Sequence, residues 1–325
     1  MEIDNIDKKI IYELDLNSRQ SYKELGKKIR LNKNTVQYRI KRLEKNKIIK
    51  NYYTFIDTSK LGYITFRILI KFKNIPSQKE KEIIQYLKES NEIGWLVSIE
   101  GSWDLTSLIW VKDHYEFEEF WNNFRNKFGE YILKKRISIF TKLNFYTRPY
   151  LIDKKKDTIN PVVQYHKNEN KKKIDFDNKD IEILKLLAKN SRIELVKISQ
   201  KLEMTINSVK YRMKKMEKNG IINAYKPMLD IKKLGYKYYK FQGNLKNKNE
   251  EVWNKVKTFC HTHPNILSLN EYINGDDLEI NIQVKDKEEL RKIIETIKIE
   301  FQDELIEFEI SEFYKEHKFV FFPIK

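Results

Sequence analysis

Two kinds of side-chain set in this sequence could do chemistry. The first is the segment "CHTH", whose Cys260, His261 and His263 are metal-ligand types. It has no second ligand pair at useful spacing, and a closed zinc site takes four ligands. With five histidines and nine scattered glycines in the chain, there is no convergent acid–base set and no glycine loop to cradle phosphate. We therefore expect no metal, no cofactor and no catalytic residues. The second set works by hydrogen bonding and charge. In "LNKNTVQYRIKRLEKNKII", residues 31–49, a short basic helix carries Asn34, Gln37, Tyr38, Arg39 and Lys41. Amide side chains pair a donor with an acceptor as adenine does, Arg suits guanine or phosphate, and Lys neutralises phosphate. The segment recurs at residues 204–222 as "MTINSVKYRMKKMEKNGII", with Asn207, Lys210, Tyr211, Arg212 and Lys214 in the same places.

The recurrence is part of a longer repeat. Shifting the sequence by 173 positions aligns residues 3–63 with 176–236 without a gap, and 25 of those 61 positions are identical. "NSR" (17–19, 190–192), "EKN" (44–46, 217–219) and "KLGY" (60–63, 233–236) stand out. The same offset pairs "VKD" at 111–113 with 284–286. The chain is a duplicated unit of about 150 residues, within the size of an ordinary domain.

Within a unit, the elements that must position the helix can be read from period and caps. Asp4 caps a first helix with Ile6, Ile10, Ile11 and Leu14 at helical spacing. Ser21 and Glu24 form a capping box for a second. Asn32 caps a third, whose buried stripe is Val36, Ile40 and Leu43. "KIIKNYYTFIDTSKLGY" then alternates as two short strands with a turn between, a β-wing. Helix, short helix, turn, basic helix and hairpin make a winged helix-turn-helix, whose third helix fits a B-DNA major groove. The next 90 or so residues read strand, helix, strand, strand, helix, strand, a ferredoxin-like βαββαβ order.

The expected fold class is α+β, two copies of a winged helix-turn-helix followed by a ferredoxin-like domain. The segments are 1–60 and 175–235 for the helix-turn-helix units, 61–151 and 236–325 for the ferredoxin-like domains, and 152–174 for a basic linker. "PVVQY" in that linker could form a short strand. A ferredoxin-like sheet leaves one face open, and Trp95, Trp103, Trp110, Phe140 and Phe145 lie on its strands or the turn between them. We expect those aromatics at a sheet-to-sheet interface between copies.

Charge fits a polyanionic partner. The formal charge is +17. A/T-rich codon usage would spread lysine evenly along the chain. Instead residues 1–60 have 15 Lys and Arg against 8 Asp and Glu, and residues 175–235 have 14 against 8, whereas 236–325 have 14 against 17. The excess falls on the helix-turn-helix segments and the linker. The apolar runs "FRILI" and "FVFF" are far short of the ~20 residues of a membrane helix. The N-terminus shows no signal-peptide pattern, and a single cysteine excludes an intrachain disulfide. A cytoplasmic protein with no membrane partner is expected.

The quoted segments, with "DNIDKKII", "DNKDIEIL" and the two "KLGY" copies, resemble the Lrp/AsnC (feast/famine) family of transcription regulators. The resemblance covers both units and is weaker in the second portion of each, where it rests on strand order and on "GSWD" at 101–104. It implies sequence-specific binding to double-stranded DNA through the ten helix residues named above. It implies assembly through the effector sheets, as an intramolecular pseudo-dimer or a homo-oligomer. It also implies an amino acid or similar small molecule near the "GSWD" turn, which assigns Gly101, Asp104 and the equivalent Asp277 to effector binding. Two departures stand out. The family's glycine after the third helix is Gly220 in the second unit but Lys47 in the first, where we expect Asn46 to take the left-handed turn. Asn274 stands where Gly101 falls. The siroheme decarboxylases resemble this family in fold and are the rival, an enzyme on the same scaffold. They are expected to carry histidine where this chain has "WLVSIEGSWDL" and "SLNEYINGDDL", and neither segment has one.

Overall fold

Local signals set the helices in the computed structural model, which describes residues 2–154, 161–164, 174–320 and 322–323. Asp4 and Asp7 form a reciprocal capping box on α1 (Asn5–Leu16), as do Ser21 and Glu24 on α2 (Tyr22–Ile29). Each box satisfies two N–H groups that a helix start leaves without partners. The Asn32 side chain accepts from the Thr35 N–H at 2.8 Å to open α3 (Lys33–Lys45). Then follow β1 (Ile49–Ile56), β2 (Ile64–Phe72), α4 (Ser77–Glu89), β3 (Ile93–Glu100), β4 (Leu105–Val111), α5 (His114–Phe128) and β5 (Ile132–Phe145). A short β6 (Val162–Gln164) leads to the second half. That half repeats the order as α6 (Asn178–Lys189), α7 (Leu195–Leu202), α8 (Ile206–Lys218), β7 (Ile222–Leu229), β8 (Lys237–Leu245), α9 (Glu250–Thr262), β9 (Ile266–Ile273), β10 (Leu278–Val284), α10 (Lys287–Glu300) and β11 (Leu305–Phe319).

The strands of the two halves form one closed sheet. Its order is β2-β4-β3-β11-β8-β10-β9-β5, and β5 pairs back onto β2. All neighbours are antiparallel. The result is an eight-stranded barrel with no free edge of its own, the most complete remedy for exposed strand edges. The halves meet at β3–β11 and at β5–β9. Side chains alternate across each strand. One set packs under α4 and α5 with Ile68, Ile70, Ile109 and Phe124, or under α9 and α10 with Phe241, Ile280, Ile282 and Ile297. The other set points into the barrel.

Three expectations are corrected. The β-wing hairpin does not form within a unit: β1 pairs antiparallel with β7 of the other half, placing Tyr53 opposite Lys226 and Thr54 opposite Tyr225. Alternation identifies a strand but not its partner. The two sheets also do more than stack, because their edges are hydrogen-bonded. Trp95, Trp110, Phe140 and Phe145 line a cavity between the barrel and the β1–β7 ribbon. Finally, Asn46 keeps an ordinary φ of −82°, and Lys47 itself turns left-handed at φ 57°. The expected linker lies mostly outside the described residues, although β6 within it pairs with β5.

Candidate nucleic-acid interface

Each third helix sits on a small core that the other half completes. Val36, Ile40 and Leu43 are fully buried against α1 and α2, with Leu229, Ile231 and Tyr236 of the second half closing the cluster. In the second unit, Val209, Met213 and Met216 pack with Ile56 and Leu61 of the first. Burying one face fixes which residues look outward. Asn34, Tyr38 and Lys41 on α3 are exposed, as are Asn207, Lys210, Tyr211 and Lys214 on α8; Gln37 is half-buried. The two tyrosines are 66% and 69% exposed. Aromatic rings so bare on basic helices are free to meet a partner.

Arg39 and Arg212 face elsewhere. Arg39 donates to Asp4 at 2.7 Å and to Asp7 at 2.9 Å, and Arg212 to Asp177 and Asp180, both at 2.9 Å. These acceptors are the capping carboxylates of α1 and α6, so each arginine ties its helix to the first helix of the same unit. Both guanidiniums have raised pKa values, chiefly through these hydrogen bonds. The Asp177 carboxyl is held below its usual range, first by the Asp180 N–H it accepts and then by Arg212. Arg42 reinforces the first copy through Asp7 at 2.5 Å.

The repeated motifs that showed no chemistry in the sequence prove to be contacts between halves. Ser18 and Ser191, equivalent in the two "NSR" copies, share a buried hydrogen bond of 2.8 Å. Arg19 donates to the carbonyls of Ser191 and Ile193, and Arg192 reciprocates onto Ser18 and Gln20. The contacts define a pseudo-twofold axis between the helical units. The β1–β7 ribbon is tied to both third helices, Tyr52 to Glu44 at 2.7 Å and Tyr225 to Glu217 at 2.6 Å. The "KLGY" lysines cross over as well. Lys60 donates to the Asn219 carbonyl at 3.0 Å, and Lys233 to that of Asn46 at 2.8 Å. Each caps the C-terminus of the other half's third helix, where a cation suits the helix dipole. Identity between copies was the available signal for all of these. Past that C-terminus, Lys47→Gly should raise stability by about 1 kcal/mol by removing left-handed strain. Urea unfolding reads this as a higher midpoint at unchanged slope, and a lower midpoint contradicts it.

The turns assigned to an effector are shaped by their own strands. Asp104 accepts from Lys71 Nζ at 2.6 Å and from the Phe72 N–H at 2.8 Å. Asp277 accepts from the equivalent Leu245 N–H at 3.1 Å. Gly101, at φ +141°, lies so close to β11 that a Cβ would come within 2.9 Å of the Ile310 carbonyl oxygen. Asn274 takes its place in the second half and bridges to β5, donating to the Ile137 carbonyl at 2.8 Å and accepting from Ser138 at 2.6 Å. At "CHTH", Cys260 is buried among apolar side chains, and the described residues hold no metal-binding cluster of His, Cys, Asp or Glu. No helix among them is long and apolar enough to cross a membrane.

Two helix-turn-helix units with outward basic helices are the architecture of a DNA-binding protein. Residues 3–44 match the model of the AsnC-type helix-turn-helix domain, and residues 176–223 that of a winged helix-turn-helix DNA-binding domain. An uncharacterized HTH-type transcriptional regulator of Pyrococcus furiosus, PF1231, is 31% identical over 118 residues, which is 36% of this chain and 78% of that protein. The HTH-type transcriptional regulator LrpB of Bacillus subtilis is 46% identical over 66 residues, 20% of this chain and 44% of that protein. The chain belongs to the Lrp/AsnC family of transcription regulators. Among solved structures, the siroheme decarboxylase NirDL superposes with a TM-score of 0.63 over 98% of this chain and 93% of its own, at 12% identity. That likeness is one of fold.

Proposed function

We propose that this chain is a sequence-specific DNA-binding transcription regulator that works as a covalent pseudo-dimer. We read each half as a winged helix-turn-helix unit (1–60, 175–235) followed by a ferredoxin-like domain (61–151, 236–325), joined by the basic linker 152–174. The observation that carries the reading is the Ser18–Ser191 hydrogen bond with the reciprocal donation of Arg19 and Arg192 to the other half's carbonyls. It holds two outward-facing recognition helices on one body, so binding at one half-site raises the effective concentration at the other. Asn34, Gln37, Tyr38 and Lys41, with Asn207, Lys210, Tyr211 and Lys214, are assigned to the DNA surface. Arg39 and Arg212 are assigned to holding the helices in place. Fluorescence anisotropy on random-sequence duplex DNA tests the reading: binding at low salt that weakens steeply with added salt is expected. No binding at low salt contradicts it.

The arginine assignment has its own test. Arg39→Ala with Arg212→Ala should lower stability by about 1–3 kcal/mol, because the buried Asp7 and Asp180 carboxylates each lose a charged partner. The salt dependence of DNA binding should keep its slope. A shallower slope would mean that the arginines leave the carboxylates for phosphates.

An amino-acid-like effector is part of the same reading. It would meet the β3–β4 turn, shaped by Gly101 and Asp104, or the equivalent β9–β10 turn, shaped by Asp277. Fold likeness to NirDL supports one alternative, an enzyme acting on siroheme. Incubation with siroheme should give no turnover, and decarboxylation would establish the alternative.

A further inference from the structure

The barrel interior is not symmetric, although the chain is a repeat. At positions 173 apart, Leu108 becomes Asn281, Trp110 becomes Gln283, and Trp95 becomes Ser268. All six line one cavity of about 180 Å³ between the barrel and the β1–β7 ribbon. At these three positions the first half is apolar and the second polar, although Tyr238, Tyr272 and Phe319 of the second half also line the cavity. A symmetric core would have served two packed sheets, so the divergence points to something lodged between them.

The second half's polar residues have unmet valences. Asn281 donates to Ser268 at 2.7 Å and Asn270 donates to Glu279 at 3.0 Å, yet the Oδ1 atoms of both have no hydrogen-bond partner. Both residues are more than nine-tenths buried, and buried amide oxygens are normally paired. Buried Arg67, Arg148, Lys226 and Lys240 lie around the cavity with the buried carboxylates of Asp15, Asp276 and Glu279, and Glu316 also lines it. Lys240 lines the cavity itself, and its ammonium is pulled well below its usual range by burial and then by Arg67. An anion beside it would add to the Glu279 carboxylate that Lys240 already meets at 2.7 Å, whereas an added ammonium group would meet the Lys240 cation.

We propose that this cavity binds a small hydroxylated aromatic acid. The ring packs on Trp95 and Trp110, the carboxylate lies toward Lys240, and the hydroxyl donates to the free amide oxygen of Asn281 or Asn270. The volume fits, since an engineered apolar cavity of roughly 150 Å³ admits benzene. Tyr53 and Phe55 of β1 and Met228 of β7 line the same cavity. A bound molecule therefore touches the ribbon that carries the helix-turn-helix units as well as the barrel.

Tryptophan fluorescence of the full chain tests this without DNA, so it stands apart from the regulatory reading. Titration with 4-hydroxybenzoate should give a saturable change and raise the melting temperature. Benzyl alcohol, which lacks the charge, and L-phenylalanine, which adds an ammonium, should give neither. Asn270→Val with Asn281→Leu installs the first half's residues at these positions. It should weaken 4-hydroxybenzoate binding at least tenfold in a variant that still folds. An absent or unsaturable response overturns the proposal. So does unchanged affinity in the double variant, or equal binding of L-phenylalanine. If the variant does not fold, the three-ligand comparison on the unaltered chain decides.

Discussion

Glu279→Ala should cost the fold about 3–5 kcal/mol, the penalty for removing one partner of a buried ion pair. Glu279 is fully buried and pairs with two fully buried cations, Arg67 of the first half and Lys240 of the second, the latter at 2.7 Å. Asn270 and Tyr272 also donate to its Oε1, both at 3.0 Å. Arg67 and Lys240 are themselves equivalent positions of the repeat, so a single carboxylate serves both copies; its own counterpart in the first half is Thr106. Without Glu279, two cations would share a low-dielectric interior with no counter-charge between them. Urea unfolding followed by far-UV circular dichroism measures the loss. A cost below about 1 kcal/mol would place the cluster in contact with water, where ion pairs contribute little. Replacing all three charged residues with apolar ones of similar volume should recover much of the loss, since the cost comes from the unpaired charges.

The second large effect is on binding. Lys41→Ala with Lys214→Ala should weaken DNA affinity on the order of ten- to a hundredfold near 0.1 M salt. The log–log salt slope should become shallower by about 1.8, since each phosphate contact contributes about 0.9. Both lysines are exposed on the outward faces of α3 and α8. The contrast with the arginines of the same helices is what makes the pair informative. Arg39 and Arg212 are already engaged by two carboxylates each. The lysine pair should change the slope and leave stability nearly intact, and the arginine pair the reverse. An unchanged slope in the lysine variant would move the DNA surface off these helix faces.

What could be read from the sequence was what local chemistry determines. Capping boxes, the apolar stripes of the third helices and the alternation of most strands depend on neighbours within a few residues, and their positions agree with the elements seen; the exception is the wing's second strand, where Thr58–Leu61 forms a 3-10 turn. Strand partners depend on pairing between distant segments. "KIIKNYYTFI" reads as a strand, but nothing within it says that its partner is Ile222–Leu229 of the other half rather than its own downstream residues. The same limit applied to the motifs. Identity singled out "NSR" and "KLGY", but the contact of Ser18 with Ser191 or of Lys60 with Asn219 requires the pseudo-twofold axis. Arg39 was readable as a residue flanking the buried stripe, and the carboxylates beside it became visible only once α1 lay across α3. The substitution of Leu108 by Asn281 was in plain view, without any indication that both face one cavity.

Selection of binding sites from random DNA by the full chain tests the central claim most directly. Two unequal half-sites are expected, their centres about one helical turn or a multiple apart. The bases that differ between them should lie where Lys33 and Gln37 in one helix face Ile206 and Lys210 in the other. A perfectly symmetric consensus would contradict independent reading by the two helices, and no enrichment at low salt would contradict DNA recognition itself.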